Sequence, residues 1–541
     1  MSRFTRKLMA ATLLVALPAT SVFAQSVSDP STIEGKVLAG YQGWFRCEGD
    51  GSPYHWSHWT ANNVAPTLTN ISVDAYPDLT GMDPSSLCDA SPFTIGGKPA
   101  SLFTSFALQT EETHFAWMRE YGIDGVLAQR FLSDVSGAVA ENEKVLRNIM
   151  TAAEDNGRVF AVEYDLTSSR NNRTDDEFMA ALEADWLHLV NDVGVTRSRA
   201  YLQQGGRPLV SVWGIGMNNH SYVDNADLGQ RIISWFHDVA HVSVMAGVSS
   251  GWTTPGQHGS ADGDGWPAVY AQYDVIQPWP IAKYNDNAGA DSWMQGELLP
   301  DMAVTRKNHQ LYMPVIFPGS GDHNGNPGSP ENPTPRLGGT FLWHQAYNAK
   351  TVGAPAIKIA MFDEVNESTS IFKVASTRKE APDQGYWLTL DADGYQLPSD
   401  WYLRLAYEIK QAYLGTTPMP ATMPAAPWIG TARNCGVLTS GQTIEANGEV
   451  ASCDGRTELV MQGDGNLVLY VRHTPVWASN TGGTDATQAV MQANGDLQVK
   501  SAGGTVRWES GTSGHAGAFV RVQDDGAASV VDANGVITST H

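Results

Sequence analysis

Eight apolar, strand-like runs alternate with amphipathic stretches through the first three quarters of the chain. That alternation restricts the fold more than any other feature of the sequence. The runs are Val37–Phe45, Ile123–Phe131, Val159–Leu166, Pro208–Gly214, Val242–Val248, Asp274–Ile281, Tyr312–Gly319 and Ile357–Glu364. Segments with helical periodicity separate most of them, among them Glu141–Asn156, Asp175–Val190 and Leu228–His241. A parallel strand covered by helices on both faces reads as a continuous apolar run. Eight such βα units predict an α/β fold, a (β/α)8 barrel of TIM type. Ser101–Phe106 also reads as extended and is assigned to the long loop after the first run. A doubly wound open sheet is the competing architecture, but no Gly-rich fingerprint follows the first run.

The flanks differ from this core. Arg3, Arg6 and Lys7, the apolar stretch Leu8–Leu17 and the small-residue site at Val22–Ala24 make residues 1–24 a cleavable secretory signal. Its apolar core is too short to span a bilayer, and no other stretch approaches the necessary length. A secreted or periplasmic protein without membrane insertion is expected. The barrel is expected over 25–414. A spacer over 415–430 carries Pro418, Pro420, Pro424 and Pro427. A net charge of −23 excludes nucleic acid as a partner, because that needs a basic footprint. Four cysteines in an exported chain are read as disulfides, Cys47 with Cys88 and Cys435 with Cys453. Nothing in the sequence sets the oligomeric state.

From 431 to 541 helical patterns vanish and a repeat begins. Met461–Tyr470 (MQGDGNLVLY) is echoed by Met491–Lys500 (MQANGDLQVK) and, more faintly, by Val522–Val531 (VQDDGAASVV). Trp477 and Trp508 recur at matching positions in the first two copies. Each unit reads as strand, Gly turn, strand, which predicts a small all-β module with three-fold pseudo-symmetry.

The chemistry gathers after the last run, where Asp363, Glu364 and Glu367 follow an apolar segment. Carboxylates at the C-terminal mouth of a barrel face its active site. Two of them suit glycoside cleavage, one as an acid for the leaving oxygen and one assisting from the other side. Other run ends and loops supply Tyr41, Trp44, His58, Trp59, Asp165, Trp213, Trp279, Asp322 and His323. Aromatic faces stack on sugar C–H surfaces and carboxylates take their hydroxyls, so these are candidate substrate-binding residues. His55 and His58 lack a third ligand at suitable spacing, so no metal or cofactor is expected.

Four motifs in order make a family resemblance: Ala39–Phe45 (AGYQGWF), Trp56–Trp59 (WSHW), Gly338–Asn348 (GGTFLWHQAYN) and Phe362–Phe372 (FDEVNESTSIF). Over residues 33–412 the chain resembles the glycoside hydrolase family 71/99-like proteins, which implies the same barrel. In the related family 99 endo-α-mannosidases the last strand ends in a Glu-x-x-Glu pair. Glu364 and Glu367 match that pair. The resemblance implies that Glu364 is a base for the sugar 2-hydroxyl, that Glu367 is the general acid/base, and that configuration is retained through a 1,2-anhydro sugar. Val365-Asn366 replaces the family's Trp-His, and Ser368 replaces its Gly, so mannose specificity does not carry over. An α-glucanase, or an enzyme acting on xylose- or arabinose-containing chains, fits the same resemblance. A carbohydrate-binding protein that does no chemistry would have no use for the Glu pair.

Gln462, Asp464, Asn466, Val468 and Tyr470 match the Gln-x-Asp-x-Asn-x-Val-x-Tyr site of bulb-type mannose-binding lectins, which implies a β-prism. Their alternation turns the polar side chains to one face. The second and third copies have lost parts of that pattern. Taken together, the sequence predicts an exported glycoside hydrolase cleaving a polysaccharide or glycan, with α-mannan as one candidate, held on its substrate by a mannose-type lectin module.

Overall fold

The computed structural model describes residues 27–136, 139–171, 173–415, 418–423, 436–452, 457–471, 474–523, 526–532 and 535–540. The expected signal segment, most of the spacer and the Cys435–Cys453 pair lie outside them.

All eight apolar runs form strands of one parallel sheet. They are β1 (Val37–Tyr41), β2 (Gly125–Phe131), β3 (Val159–Asp165), β4 (Arg207–Ile215), β5 (Ser243–Val248), β6 (Val275–Pro278), the short pieces β7 (Leu311–Tyr312) and β8 (Val315–Ile316), and β9 (Ile357–Ile359). The sheet order is β7-β6-β5-β4-β3-β2-β1-β9-β8. Both ends of this path come from the seventh run. Met313 still donates to Ile276 of β6, whereas the Pro314 carbonyl accepts from Lys358 of β9. Proline has no N–H for the ladder, and the strand changes partner there. The result is a curled parallel sheet of TIM-barrel type.

The helices follow from local signals. α1 (Leu108–Glu120), α2 (Val139–Asn156), α3 (Asp175–His188) and α4 (Ala226–Asp238) are the longest in the first half. Thr174 and Glu177 start α3 with a reciprocal capping box, and Asn225 caps α4 by accepting from the Leu228 N–H. After β1, Leu87–Ile95 and Lys98–Phe103 pair as an antiparallel hairpin. The extended stretch at Ser101–Phe106 is thus part of an insertion, as its sequence suggested. A Cys47–Cys88 disulfide ties this insertion to the first loop.

One expectation is corrected. The eighth run was expected to stay extended to Glu364, but its ladder stops at Ile359. The carboxylates therefore stand on a loop, not on the strand.

Inside the curl, Lys358 of β9 meets Glu163 of β3 at 2.5 Å, and both side chains are fully buried. Ser211 of β4 donates to the second Glu163 oxygen at 2.8 Å, and Gln277 of β6 approaches it at 3.5 Å. Four strands thus meet on one ion pair, and its desolvation is offset only while every partner is in place.

The repeat region forms three four-stranded antiparallel sheets. The hairpins are Thr457–Met461 with Leu467–Val471, Ala486–Met491 with Leu497–Ser501, and Phe519–Val522 with Ala528–Asp532. Each turn closes identically: Gln462, Gln492 and Gln523 donate their N–H to the residue four positions on, at 2.8 Å. Gly465, Gly495 and Gly526 have φ near +90°, a conformation in which glycine carries no Cβ penalty. Each sheet gains two strands beyond those read from the repeat: an outer one after each hairpin, Thr474–Ala478, Val506–Glu509 and Gly535–Ser539 in turn, and one from the segment before the repeat. Val437–Leu438, Thr443–Glu445 and Glu449–Ala451 join the third, second and first copies respectively. Leu459, Met461, Leu469, Met491, Val499 and Val520 fill a separate core.

Lys358→Met alone leaves a buried carboxylate without its cation. Urea denaturation should show a loss of about 3–5 kcal/mol, most of it recovered when Glu163→Leu is added. Cys47→Ser combined with Cys88→Ser should lower stability by about 2–4 kcal/mol in the same assay, given the 41-residue separation.

Candidate active site

The site starts where β9 ends. Ala360 donates to the Ile316 carbonyl and Phe362 to that of Gly40, so the chain stays docked between both neighbours after the ladder stops. Asp363 then turns back to the first loop. Its two oxygens accept the backbone N–H groups of Gln42 and Gly43, each at 2.8 Å. Gly43 has φ +59°, and a Cβ there would lie 2.9 Å from Val145. The grip on its N–H thus needs glycine twice over, for conformation and for space.

Glu364 follows, nearly fully buried. Gln42 donates through Nε2 to one of its oxygens at 2.8 Å, and Thr369 donates through Oγ1 to the other at 2.6 Å. The return of the loop is fixed by Arg336, which donates to the carbonyls of Ser368 and Ser370 at 2.8 Å. Glu367 is exposed at the mouth, although protein atoms crowd its carboxylate. Its carbonyl accepts from Gly321 at 2.8 Å, which brings the loop carrying Asp322 and His323 alongside. Buried Asp74 anchors that loop by accepting the N–H groups of His323 and Asn324.

Electrostatics set the protonation of this cluster. Burial raises Asp363 to about 6, against the hydrogen bonds from Gln42 and Gly43. Burial also raises Glu364, to about 7; the Asp363 charge adds to this, and the Thr369 and Gln42 hydrogen bonds and Lys358 oppose it. Glu367 is raised to about 8, first by the Glu364 charge, then by desolvation and by Asp322. The two glutamates therefore titrate as a pair, and near neutral pH one proton on the pair is the favoured state. A carboxylic acid beside a carboxylate is the equipment for acid/base work on a C–O bond.

The remaining sequence candidates divide. Trp213 and Trp279 stand edge to face, centroids 5.9 Å apart, and both are half-buried. Trp44 stacks on His58 at 3.9 Å, and desolvation holds His58 at about 3, so its ring is neutral. Asp322 and His323 are half-buried, and His323 is tied through Nδ1 to the Ser329 carbonyl. Asp165 is buried and accepts from the Thr167 N–H.

Three assignments are corrected. Tyr41 is fully buried with its hydroxyl on His114, and Trp59 is fully buried with its indole N–H on the Phe103 carbonyl. Neither has a face for a sugar. Asp363 has both oxygens occupied by backbone donors and positions the loop instead of meeting substrate. Gln42, Thr369, Asp74 and Arg336 escaped the sequence reading. Gln42 lay inside the Ala39–Phe45 motif, and that was its one signal.

In the repeat region, Gln462 donates to the Tyr470 hydroxyl at 2.7 Å and Asp464 accepts the Asn466 N–H at 3.0 Å. Val468 is nearly buried. The Asn466 side-chain oxygen accepts from Ser479 and from the Thr481 N–H. Asp496 repeats this in the second copy with Ser510 and Thr512.

No family model matches the chain. Among solved structures, the chain is similar to the GH99 endo-α-mannosidase from Bacteroides thetaiotaomicron. The TM-score is 0.52 at 14% identity, over 71% of this chain and 98% of that one. A second structure of that enzyme, with bis-tris-propane, gives 0.51. At this identity the likeness establishes the fold. A mannose-specific lectin of Aloe arborescens is 38% identical over 77 residues, 14% of this chain and 69% of the lectin. The repeat module belongs to the mannose-specific lectin family. Mannose-specific lectin 1 of Colocasia esculenta is 34% identical over 102 residues, of which the match spans 36% of that protein. In the lectin module the Asn466 and Asp496 positions share one internal role, bracing the outer strand. The Gln462–Tyr470 pair, by contrast, is confined to the first copy, because Lys500 and Val531 stand where Tyr470 does.

The raised carboxylates carry a stability signature. Their folded values of about 6, 7 and 8 exceed the unfolded value of ~4, so the folded chain binds more protons between these limits and stability falls as pH rises through them. Glu367→Gln removes one ionising group and relieves its partner. Its melting temperature relative to wild type should therefore be higher at pH 8.5 than at pH 5, as read by scanning calorimetry.

Proposed function

We propose that this chain is an exported glycoside hydrolase, built on a closed (β/α)8 barrel, that cuts mannose-bearing polysaccharide or glycan chains with retention of configuration. A β-prism lectin module keeps it on its substrate. The observation that carries the reading is the Glu364–Glu367 pair. Two glutamates at the mouth of a barrel-type sheet lie in the neutral range, Glu364 raised first by burial and Glu367 first by the Glu364 charge, in a fold shared with an endo-α-mannosidase. Barrel closure is supported by β7 and β8, which end the sheet path yet are two residues apart in the chain.

The geometry suggests a division of labour. Glu364, held by Gln42 and Thr369, is fixed and buried, which suits a base that takes a proton from one defined hydroxyl. Glu367, open at the mouth, suits the group that protonates the leaving oxygen and then admits water. When Glu364 gives up charge by accepting a proton, the largest cause raising Glu367 disappears, so Glu367 becomes the stronger acid in the same step. Trp213 and Trp279 offer aromatic edges and faces to the sugar. The lectin module makes the second encounter with a polymer effectively intramolecular.

The test is product release from α-mannan, α-glucan and arabinoxylan. Oligosaccharides are expected from mannan, with Glu364→Gln and Glu367→Gln each reducing kcat by at least ~10³-fold. Activity surviving both variants would move the chemistry elsewhere. Release from glucan or arabinoxylan alone would keep the pair and replace the sugar. Asp464→Ala with Asn466→Ala should lower retention on a mannan column while leaving turnover of a short oligosaccharide unchanged.

A further inference from the structure

The three-fold pattern of the lectin module has one place unfilled. Across its outer strands Trp477 pairs with Leu469, Trp508 with Val499 and Thr538 with Val530. Leu469, Val499 and Val530 hold the same position in the three copies, so Thr538 stands where the other two copies have tryptophan. The two indoles meet edge to face, centroids 5.4 Å apart, and both are only half-buried. A ring from the third sheet would cover them, and threonine is too small to do so.

In the place of that ring is a cavity of about 120 Å³. Trp477, Trp508, Leu497, Val520, Val530 and Thr538 line it. Exposed Thr538 and Ser539 stand at its edge, so it opens to solvent. Its hydroxyls are already engaged, Ser510 donating to Asp496 and Ser529 to Ser539, so the cavity offers little to a polar ligand. An apolar cavity of ~150 Å³ accepts a benzene ring, and covering half-exposed indole surface removes it from water. Size, lining and position therefore all suit an aromatic side chain.

The chain carries such a side chain within reach. Trp428 is the one aromatic residue of the 415–430 spacer, among Pro, Ala, Thr and Met. Gly436, eight positions later, is already part of the module, and its carbonyl accepts from the Val522 N–H at 2.6 Å. Val522 pairs with Ala528, which lines the cavity. Two strand spacings, ~10 Å, thus separate Gly436 from the cavity wall. Eight residues span up to ~28 Å, which is ample.

We propose that the indole of Trp428, from the same chain, fills this cavity and completes a triad of rings. The spacer is then held at both ends. Its first part is fixed on the larger module, where the Trp343 indole donates to the Pro420 carbonyl at 3.0 Å and Met419 and Met423 are buried. Seating Trp428 leaves residues 424–427 between the two anchors. A shorter link raises the concentration of each module around a ligand held by the other. The docking itself does not require the hydrolase activity.

The test uses the full-length chain labelled with fluorotryptophan. The ¹⁹F signals are assigned by their loss in Trp428→Phe, Trp477→Phe and Trp508→Phe. The Trp428 signal is expected not to move between H₂O and D₂O, as for an indole shielded from solvent. Thr538→Trp fills the cavity from the third sheet and should expel Trp428, whose signal then becomes solvent-sensitive. Trp428→Ala should make the Trp477 and Trp508 signals more solvent-sensitive and lower the thermal midpoint of the lectin module. Adding Thr538→Trp should restore both. If Thr538→Trp does not fold, Trp428→Ala decides alone. A solvent-sensitive Trp428 in the unmodified chain, with Trp477 and Trp508 indifferent to its removal, overturns the docking. Shielding that is lost on dilution assigns the ring to a second copy and overturns insertion within one chain. Movement of the Trp477 or Trp508 signal on adding free indole to the unmodified chain shows the cavity open and overturns it as well.

Discussion

The candidate site depends on one carboxylate that does no chemistry. Asp363 takes the N–H groups of Gln42 and Gly43 with its two oxygens and so binds the end of the last strand to the loop after the first. Those strands are paired neighbours in the sheet although they are its first and last in the chain. The grip converts that pairing into a fixed position for Glu364, one residue on, and it orients Gln42, whose side chain holds Glu364 directly. Hydrogen bonds from backbone donors to a buried carboxylate are among the stronger ones available to a protein, which suits a joint that must not slip.

The same joint shapes the electrostatics. Burying Asp363, Glu364 and Glu367 together is unfavourable, and the fold answers it with Lys358 below, Thr369 and Gln42 beside, and an open mouth above. The compensation is incomplete, so the carboxyls hold protons that ordinary carboxyls would release. Structure that stores such repulsion contributes nothing to folding. Strongly perturbed carboxyls cluster at functional sites, which is what the proposed acid/base role draws on. The Lys358–Glu163 pair, deeper in the curled sheet, links this cluster to four strands, so the stability of the sheet and the protonation of Glu364 share a residue.

Much of this was legible in the sequence. The eight runs could be found because strands buried on both faces leave unbroken apolar segments, and the Glu pair drew notice because carboxylates directly after such a segment are unusual. Other residues were legible only by type. Tyr41 and Trp59 looked like sugar platforms, but an aromatic side chain reads the same whether it faces a rim or a core, and here His114 and the Phe103 carbonyl claim them. The end of the eighth strand was misjudged because Ala360, Met361 and Phe362 are as apolar on a docked loop as in a ladder. Asp74 could not have been found. Its partners His323 and Asn324 are 249 and 250 residues away, and no local pattern encodes a contact of that span.

The central claim is that Glu364 and Glu367 form one coupled acid/base centre. It is tested most directly by ¹³C NMR titration of the glutamate side-chain carboxyls, with assignments from Glu364→Gln and Glu367→Gln. The account predicts two carboxyls that titrate far above the others, near 7 and 8, and a clear fall in the Glu367 value when Glu364 is replaced. Two independent titrations in the ordinary range near ~4, each indifferent to loss of the other, would contradict it.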